Sequence, residues 1–333
     1  MQFAIGRANR LSRLLSFVGC AFYLAGAGAQ QFDVAEVQPP GYPTIKGLEY
    51  MAEQVKKGSS GRIVMRIFPQ GKLGGETESI AKAKSGEIAF TRVNLAQFNN
   101  SIPESGVFPV PFMFRNVIHM RKVVDGPIGE ELLKLFDKQD LVGLAFYDSG
   151  SRSFYTVGKP IRSMEDLAGM RIRVQNSTLF NELVQAFGAT PKNVPYGEVY
   201  NGLKNGDIDG AENNWPSYVS SKHFEVAKYY TLTEHTISPE VLVMSKKIYD
   251  KLSPADRALI RAAASDSVPV MRDSWDKYEE ESIKAAKAAG VTVTILSLPE
   301  DRLRFRTAVK PLRQKLLADP ALQKLAERIQ ATK

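Results

Sequence analysis

The alternation of apolar and polar residues predicts short strands separated by helical segments. Residues 61–68 (GRIVMRIF) alternate as a half-buried strand does, whereas Leu141–Tyr147 (LVGLAFY) is a nearly continuous apolar run typical of a buried strand. Similar patterns predict strands at 87–93, 170–174 and 240–245, helices at 77–86 and 196–204, and a turn at 206–211 that leads into another strand. Strands and helices that alternate in this way predict an α/β protein.

A much longer helical pattern occupies residues 254–289. It begins at Ser253–Asp256, where serine is the N-cap, proline takes the first helical position and an acidic residue follows, and it ends before Gly290. Its 36 residues would extend about 54 Å as one helix. Pro269 lies inside the pattern, so two possibilities stay open: one long helix bent at Pro269, or two helices that separate there.

The first 29 residues have the pattern of a secretory signal peptide. Three arginines precede a short apolar run at 14–24, and the small residues at 27–29 make Gln30 the predicted first residue of the mature chain. The run is too short to span a membrane, which takes about 20 apolar residues. The single cysteine, Cys20, lies within this segment, so we expect neither disulfides nor thiolate chemistry in the mature protein.

The charge balance is mildly basic and dispersed. The formal net charge is +8, and subtraction of the three arginines of the signal peptide leaves +5 (8 − 3) on the mature chain. Because no basic stripe alternates with aromatic residues, nucleic acid is not an expected partner. A modest positive field suits a small anionic ligand.

Signals for enzymatic chemistry are weak. The three histidines, at 119, 223 and 235, are far apart and have no metal-ligand spacing, and no phosphate-binding or nucleophile motif is present. We therefore predict no catalytic residue, no metal and no cofactor. His235 precedes a predicted strand and could approach a cleft, although a histidine in such a place is more often structural.

The segment from Ala168 to Tyr218 contains the most specific pattern. Its strand places Arg171 and Arg173 at alternate positions, and therefore on one face. A guanidinium fixed at the end of a strand can hold a carboxylate through two parallel hydrogen bonds. Considered alone, such a pair is more often two solvated surface charges.

The order of three motifs in this segment is what makes it specific. RIRV, PYGEVY and GDIDGAEN follow one another as in the periplasmic solute-binding proteins of tripartite ATP-independent (TRAP) transporters, the dicarboxylate-binding DctP family. Residues 68–94 and 110–132 resemble the same family. The resemblance implies an α/β, two-lobe periplasmic binding protein fold with crossover strands and one long, bent helix spanning both lobes. It places residues 30–149 plus 239–277 in lobe I and residues 150–238 plus 278–333 in lobe II.

The resemblance also implies which residues bind the ligand in the cleft between the lobes. The predicted set is Arg173, Arg152, Asn213, Glu76, Asn94, Tyr196, Arg92 and Trp215. Arg92 is included because it shares strand parity with Asn94. Structural alternatives stay open for several of these: Glu76 as an acid at a helix N-terminus, Tyr196 as a core aromatic, Asn213 as a turn residue, and Trp215 as a packing residue.

These features predict an exported, monomeric periplasmic protein that captures a small-molecule carboxylate and delivers it to TRAP membrane permease subunits. Two arginines suit one carboxylate, whereas Glu76 and the asparagines suit several hydroxyls, so a hexuronate such as D-galacturonate or D-glucuronate is the expected ligand. A C4-dicarboxylate is the alternative, supported by Arg92. A periplasmic enzyme acting on sugar acids and a sensor subunit of a receptor are the alternatives from other classes.

Overall fold

The computed structural model describes residues 29–296 and 299–333, so the predicted signal peptide lies outside the described residues except for Ala29. The strands are β1 (Gln30–Ala35), β2 (Ile63–Phe68), β3 (Phe90–Asn94), β4 (Leu141–Tyr147), β5 (Ser151–Thr156), β6 (Arg171–Val174), β7 (Thr190–Asn193), β8 (Gly210–Asn213), β9 (Tyr229–Ile237), β10 (Glu240–Ser245) and β11 (Thr292–Ile295). The helices are α1 (Pro43–Gly58), α2 (Glu76–Ser85), α3 (Val117–Val124), α4 (Pro127–Leu135), α5 (Thr178–Ala186), α6 (Val199–Asn205), α7 (Trp215–Ser220), α8 (His223–Val226), α9 (Lys246–Tyr249), α10 (Pro254–Ala288), α11 (Pro299–Ala308), α12 (Lys310–Leu316) and α13 (Pro320–Ala331).

The strands form two separate sheets, one in each lobe. The first has the order β2-β1-β3-β10-β4, and the second has the order β11-β9-β5-β8-β6-β7. Both sheets contain parallel and antiparallel pairs. In the first, β1 is parallel to β2 and β10 is antiparallel to β3. In the second, β11 is parallel to β9 and β5 is antiparallel to β8. The α/β, two-lobe organisation predicted from the sequence is confirmed.

Two connections carry the chain between the sheets. Residues 148–150 join β4 of the first sheet to β5 of the second, and residues 238–239 join β9 of the second sheet to β10 of the first. Every residue of β4 and β10 is buried, in agreement with their nearly continuous apolar patterns. The sequence predicted the bounds of both strands correctly.

The third strand begins later than its pattern suggested. Gly86 ends α2 in the left-handed conformation, with φ of 84°, which glycine adopts at low cost. The backbone amides of Glu87 and Ile88 then donate to the carbonyl of Lys82. Because residues 87 and 88 complete the end of the helix, β3 begins at Phe90 rather than at residue 87.

The long helical pattern forms one helix. α10 has 35 residues, and the hydroxyl of Ser253 accepts a hydrogen bond from the backbone amide of Asp256 at its start. Its first two thirds bury Ile260 and Met271 in the core of the first lobe, and its end buries Ala286 in the core of the second. The helix therefore spans both lobes, which excludes the two-helix alternative, while the bend at Pro269 stays a prediction.

The C-terminal helix departs from the predicted lobe boundaries. We expected residues 278–333 to belong to the second lobe, yet Leu322, Ala326 and Ile329 of α13 pack in the core of the first. Arg115 of the first lobe also donates to the carbonyls of Gln330 and Thr332. The apolar face of α13 predicts burial but not the partner, because the contact joins residues about 200 positions apart. The other lobe boundaries stay predictions.

Candidate ligand-binding cleft

A polar cavity lies where the two lobes meet. It is lined by Val37, Gln38, Glu76, Arg92, Asn94, Arg152, Arg173, Gln175, Tyr196, Asn213, Ser217 and Glu240. This inner cavity has a volume of about 30 Å³ and adjoins an outer cavity of about 430 Å³ that shares Glu76, Arg173, Gln175 and Tyr196 with it. Seven of the eight residues predicted from the sequence thus line one cavity, and both lobes contribute to it.

Arg173 is the cation of this cavity without a carboxylate partner. The side chain lies on β6, is 4% exposed, and donates from Nε to the carbonyl oxygen of Val194 at 2.9 Å. Among residues 29–296 and 299–333, no carboxylate oxygen lies within 4.0 Å of its guanidinium nitrogens. Burial lowers the pKa of Arg173 below its ordinary value, because the charged form has lost water without gaining a nearby anion.

Arg171, two positions earlier on the same strand, has a different role. It forms a hydrogen-bonded ion pair with Asp209 at 2.7 Å, and the carboxylate of Asp209 also accepts from the backbone amide of Arg171. Both side chains are about 40% exposed. Strand alternation therefore identified two arginines on one face, but only Arg173 reaches the cavity.

Arg152 is held by an acidic partner that sequence reasoning missed. Its Nε and Nη2 donate to the two carboxylate oxygens of Glu212 at 2.6 and 2.7 Å, and its Nη1 donates to Oδ1 of Asn213 at 2.9 Å. Glu212 is fully buried, and although burial raises its pKa, Arg152 and His235 hold the pKa below its ordinary value. Arg152 therefore contributes positive field and a fixed orientation while its own charge is largely compensated.

Arg92 is compensated even more completely. It donates from Nε to Glu36 at 2.7 Å, from Nη2 to the other oxygen of Glu36, and from Nη1 to Glu240 at 2.5 Å. These contacts leave little of the guanidinium for a second ligand carboxylate, so they do not favour the C4-dicarboxylate alternative that Arg92 supported, and a role of Arg92 in ligand binding stays a prediction. Its strand parity did bring it to the cavity wall, but two acids distant in sequence neutralise it there.

Glu76 opens α2 and faces the cavity from the first lobe. Its Oε1 accepts from the backbone amide of Asn94 at 2.9 Å, and its Oε2 accepts from Nε2 of Gln97 at 3.1 Å. Burial and the nearby carboxylate of Glu240 raise the pKa of Glu76 to about 7. When Glu76 is ionised, its carboxylate accepts hydrogen bonds from hydroxyl groups and repels a second anion.

Direct hydrogen bonds join the lobes around the cavity, and most of their participants were not predicted. Nε2 of Gln175 donates to Oδ1 of Asn94 at 3.1 Å, and the hydroxyl of Tyr196 donates to Oε1 of Gln38 at 3.1 Å. Ser217 completes a third bridge through the hydroxyl of Tyr42, at 3.0 Å. Gln38, Gln175 and Ser217 follow no local motif, so only the approach of the lobes reveals them.

Trp215 does not line this cavity. Its ring stacks on Tyr230 with centroids 3.6 Å apart and planes 16° apart, within the core of the second lobe. Asn214 caps α7 through its side chain, which accepts from the amide of Ser217, so Trp215 is the first residue of the helix and lies on its buried side. Of the two possibilities left open by the sequence, packing is therefore the correct one.

The histidines and the acidic groups elsewhere form no metal centre in the described residues. His235 is fully buried, stacks on Phe154 at 4.6 Å between ring centroids, and lies 3.5 Å from Glu212. In residues 29–296 and 299–333, no three His, Cys, Asp or Glu side chains are grouped so as to hold a metal ion. Within the same ranges, no helix has the length and apolarity needed to cross a membrane.

Three guanidinium groups and two carboxylates line the cavity, and two further carboxylates, those of Glu36 and Glu212, bind its arginines from outside the lining. Arg92 is hydrogen-bonded to Glu36 and Glu240 and also lies 3.8 Å from Glu76, and Arg152 is paired with Glu212. Among the described residues this leaves Arg173, on the second lobe, without a carboxylate partner. The arrangement can hold an anionic group at one end and hydrogen-bond donors at the other.

Comparisons with known proteins agree with this geometry. The model of bacterial extracellular solute-binding protein family 7, DctP, matches residues 34–319. A TRAP periplasmic solute-binding protein from Bradyrhizobium sp. BTAi1, solved in complex with α/β-D-galacturonate, is 49% identical, with a TM-score of 0.89 over 91% of this chain and 100% of that one. One from Xanthobacter autotrophicus Py2 with bound β-D-galacturonate is 44% identical, with a TM-score of 0.88 over 91% and 100% of the two chains. A third, from Pseudomonas putida F1 with bound D-glucuronate, is 40% identical, with a TM-score of 0.87 over 91% and 98%.

Proposed function

The chain belongs to bacterial extracellular solute-binding protein family 7, DctP, and from that premise we propose that it captures a hexuronate, D-galacturonate or D-glucuronate, for a TRAP transporter. The observation that carries the proposal is the buried guanidinium of Arg173, which has no carboxylate partner among the described residues. A buried charge is costly unless an opposite charge accompanies it. The carboxylate of a ligand would supply that negative charge. Arg152 and Asn213 line the same cavity as Arg173 and could contact the same carboxylate.

The opposite wall of the cavity favours a ligand with hydroxyl groups. Glu76 and Glu240 lie there as acceptors, and Asn94 is held between Glu240 and Gln175. A dicarboxylate would place its second negative charge near two glutamates, with Arg92 already neutralised. This charge distribution favours a polyhydroxy monoacid over a C4-dicarboxylate, in agreement with the galacturonate and glucuronate bound by the similar proteins.

Delivery to the membrane follows from the same geometry. The ligand would contact residues from both lobes, so it gains all its contacts only when the lobes are closed. The basic and apolar pattern of residues 1–29 directs export to the periplasm. There the protein acts as a monomer that presents its closed form to the permease subunits.

A thermal-shift screen tests the ligand class. Ligand at 100 times its dissociation constant stabilises a protein by about 2.7 kcal/mol, so D-galacturonate or D-glucuronate should raise the melting temperature by several degrees. Succinate and malate test the dicarboxylate class in the same screen, and D-gluconate tests an open-chain sugar acid. The Arg173→Ala variant should respond to none of them. A larger shift with succinate than with either uronate would overturn the proposed ligand class.

The same samples separate binding from catalysis. The purified protein is incubated with each stabilising acid, and the acid is then quantified by chromatography. Complete recovery of the acid is expected for a binding protein. Time-dependent formation of a product would instead identify an enzyme acting on sugar acids.

A further inference from the structure

A second large cavity lies outside the cleft just described. Its volume is about 430 Å³, and residues 112–118 of the first lobe, the end of β9 and helix α11 surround it. The side chains that give it its character are Phe112, Ile118, Phe305, Arg115, Arg302 and Arg306. This size falls within the range of small-molecule sites, which typically combine an apolar lining with a few polar groups.

The floor of this cavity is apolar and partly exposed. Phe112 packs against the core of the second lobe although it belongs to the first, and Ile118 is 63% exposed. The guanidinium of Arg306 lies over the ring of Phe112, 4.3 Å from its centroid. Such stacking fixes the plane of the guanidinium and leaves the N–H groups at its edge free to bind an anion.

The charges around this cavity are unbalanced. Within the described ranges, the side chains of Arg115 and Arg302 donate to backbone carbonyls alone, those of residues 330, 332 and 296. In the part of the chain that the structure describes, no carboxylate oxygen lies within 4.0 Å of Arg115, Arg302 or Arg306. The acidic side chain among the lining residues is Glu234, which is exposed. The excess of positive charge extends to Arg313, whose pKa is lowered by burial and, to a smaller extent, by the nearby charge of Arg306.

We propose that this cavity is a second binding site, for an organic anion that has an aromatic body and one carboxylate. The ring would pack on Phe112 and Ile118, and the carboxylate would be held by Arg302 and Arg306. An entirely polar acid such as a uronate would leave the apolar floor exposed to water, whereas a neutral aromatic molecule would leave the arginines uncompensated. The two sites therefore select different chemistry, and this proposal does not depend on the identity of the ligand in the cleft.

Both lobes line this second cavity, and it adjoins the residues at which the chain crosses between them. Ser151 and Ile237, which flank the two crossovers, are among the lining residues, and the backbone amide of Phe112 donates to the carbonyl of His235 at 3.0 Å. A change in the angle between the lobes would alter the shape of this cavity. An anion bound here should therefore change the affinity of the cleft, and by reciprocity the cleft ligand should change the affinity for the anion.

The probe for the experiment is 4-fluorophenylacetate, followed by fluorine NMR line width on the full mature protein. We expect saturable broadening that persists with D-galacturonate at saturation and in the Arg173→Ala variant. The neutral analogue 4-fluorobenzyl alcohol, which has the same ring without the charge, should bind at least tenfold more weakly. No saturable binding of 4-fluorophenylacetate, or equal binding of the alcohol, would overturn the proposal.

Two variants localise the probe. The double variant Arg302→Gln/Arg306→Gln should weaken 4-fluorophenylacetate at least tenfold and still bind the cleft ligand. Arg304→Gln is the matched control, since Arg304 lies on the same helix but pairs with Glu165 on the surface, and it should behave as the wild type. Unchanged probe binding in the double variant, or loss of probe binding in the Arg173→Ala variant, would mean that the probe occupies another place and that the proposed site is wrong.

Discussion

The two walls of the cleft each present a buried arginine, and the two side chains differ in what surrounds them. Arg92 on the first lobe is 2% exposed and Arg173 on the second is 4% exposed. Glu36 and Glu240 take three hydrogen bonds from Arg92, whereas Arg173 donates to one carbonyl oxygen, that of Val194. Residue type and burial are thus the same, and the electrostatic compensation is opposite.

This difference separates a structural charge from a binding charge. An arginine whose carboxylate partners come from the protein stabilises the fold and has little left to offer a ligand. An arginine that is buried without such a partner stores an unfavourable free energy that an anionic ligand can relieve. The predictions that follow exchange or remove these charges, and each has a different expected effect on binding and on stability.

The largest effect is expected for Arg173→Met. Removal of one partner from a buried charge pair typically costs about 3–5 kcal/mol, so affinity for the uronate should fall by roughly two to three and a half decades. The ligand-free variant should unfold at the same denaturant concentration as the wild type or a higher one, because the lost charge had no protein partner. Calorimetry and urea denaturation measure the two quantities. A large loss of stability in the free variant would mean that Arg173 is a structural charge after all.

Arg92→Met is the matched substitution, and its effect should fall on stability instead. It leaves Glu36 and Glu240 buried without their cation, at a cost of about 3–5 kcal/mol in the free energy of unfolding. Denaturation in urea is the measurement, with Arg66→Met, an exposed partner of Asp33, as the control that should change little. If the free energy of unfolding is unchanged in Arg92→Met, the contrast between the two walls fails.

The raised pKa of Glu76 makes the stability of the free protein depend on pH. Its pKa is about 7 in the folded state against an ordinary 4.5, so between these values the folded protein binds more protons than the unfolded chain. Its contribution to stability is therefore greatest at low pH and is lost as pH rises from about 4.5 to about 7. A difference of roughly 2.5 between the two pKa values corresponds to at most about 3.4 kcal/mol.

The variant Glu76→Gln isolates that contribution. It removes the ionisation, so the variant should exceed the wild type in stability at pH 8 and gain little at pH 5. Urea denaturation at the two pH values is the test. Glu279 is the other glutamate whose pKa is raised to about 7, so Glu279→Gln is the control. In that variant, the pH dependence of stability that comes from Glu76 should remain. A gain that is equal at both pH values would contradict the assigned pKa.

The smallest of these effects concerns the choice of ligand. In Glu76→Gln, affinity for a hexuronate should fall by about 1.5–3 kcal/mol, the range for a hydrogen bond to a charged group. Affinity for succinate should stay the same or increase, because a negative charge has been removed from the wall that repels it. Calorimetric titration at pH 8, where Glu76 is mostly ionised in the wild type, compares the two acids. A gain for succinate without a loss for uronates would reverse the ranking of the ligand classes.

The sequence predicted much of the fold, but it did not predict which buried charges of the cleft are paired with opposite charges. Apolar runs gave β4 and β10 with correct bounds, because a strand buried on both faces has a pattern that needs no partner to interpret. The start and end signals of α10 were equally local, and its single-helix form agrees with the family resemblance. The same local logic placed Arg173 near the end of a strand, whereas Asn94 was assigned to the cleft through the family resemblance.

Local patterns did not predict the carboxylate partners of the buried arginines. Glu36 and Glu240 lie 56 and 148 positions from Arg92, and Glu212 lies 60 positions from Arg152, so no spacing rule connects them. The placement of Trp215 against Tyr230 and of α13 against the first lobe also depends on contacts between distant segments. These were the places where the sequence-based predictions were incomplete or wrong.

The sequence by itself therefore determined the α/β class, the strands and helices, the family and most of the residues that line the cleft, because periodicity, capping and motif order are local properties. The tertiary structure decided which buried charges are compensated, because a guanidinium and a carboxylate neutralise each other according to their distance in space. It also decided that Arg173 is the arginine in the cleft that has no carboxylate partner among the described residues, and that feature carries the proposed function.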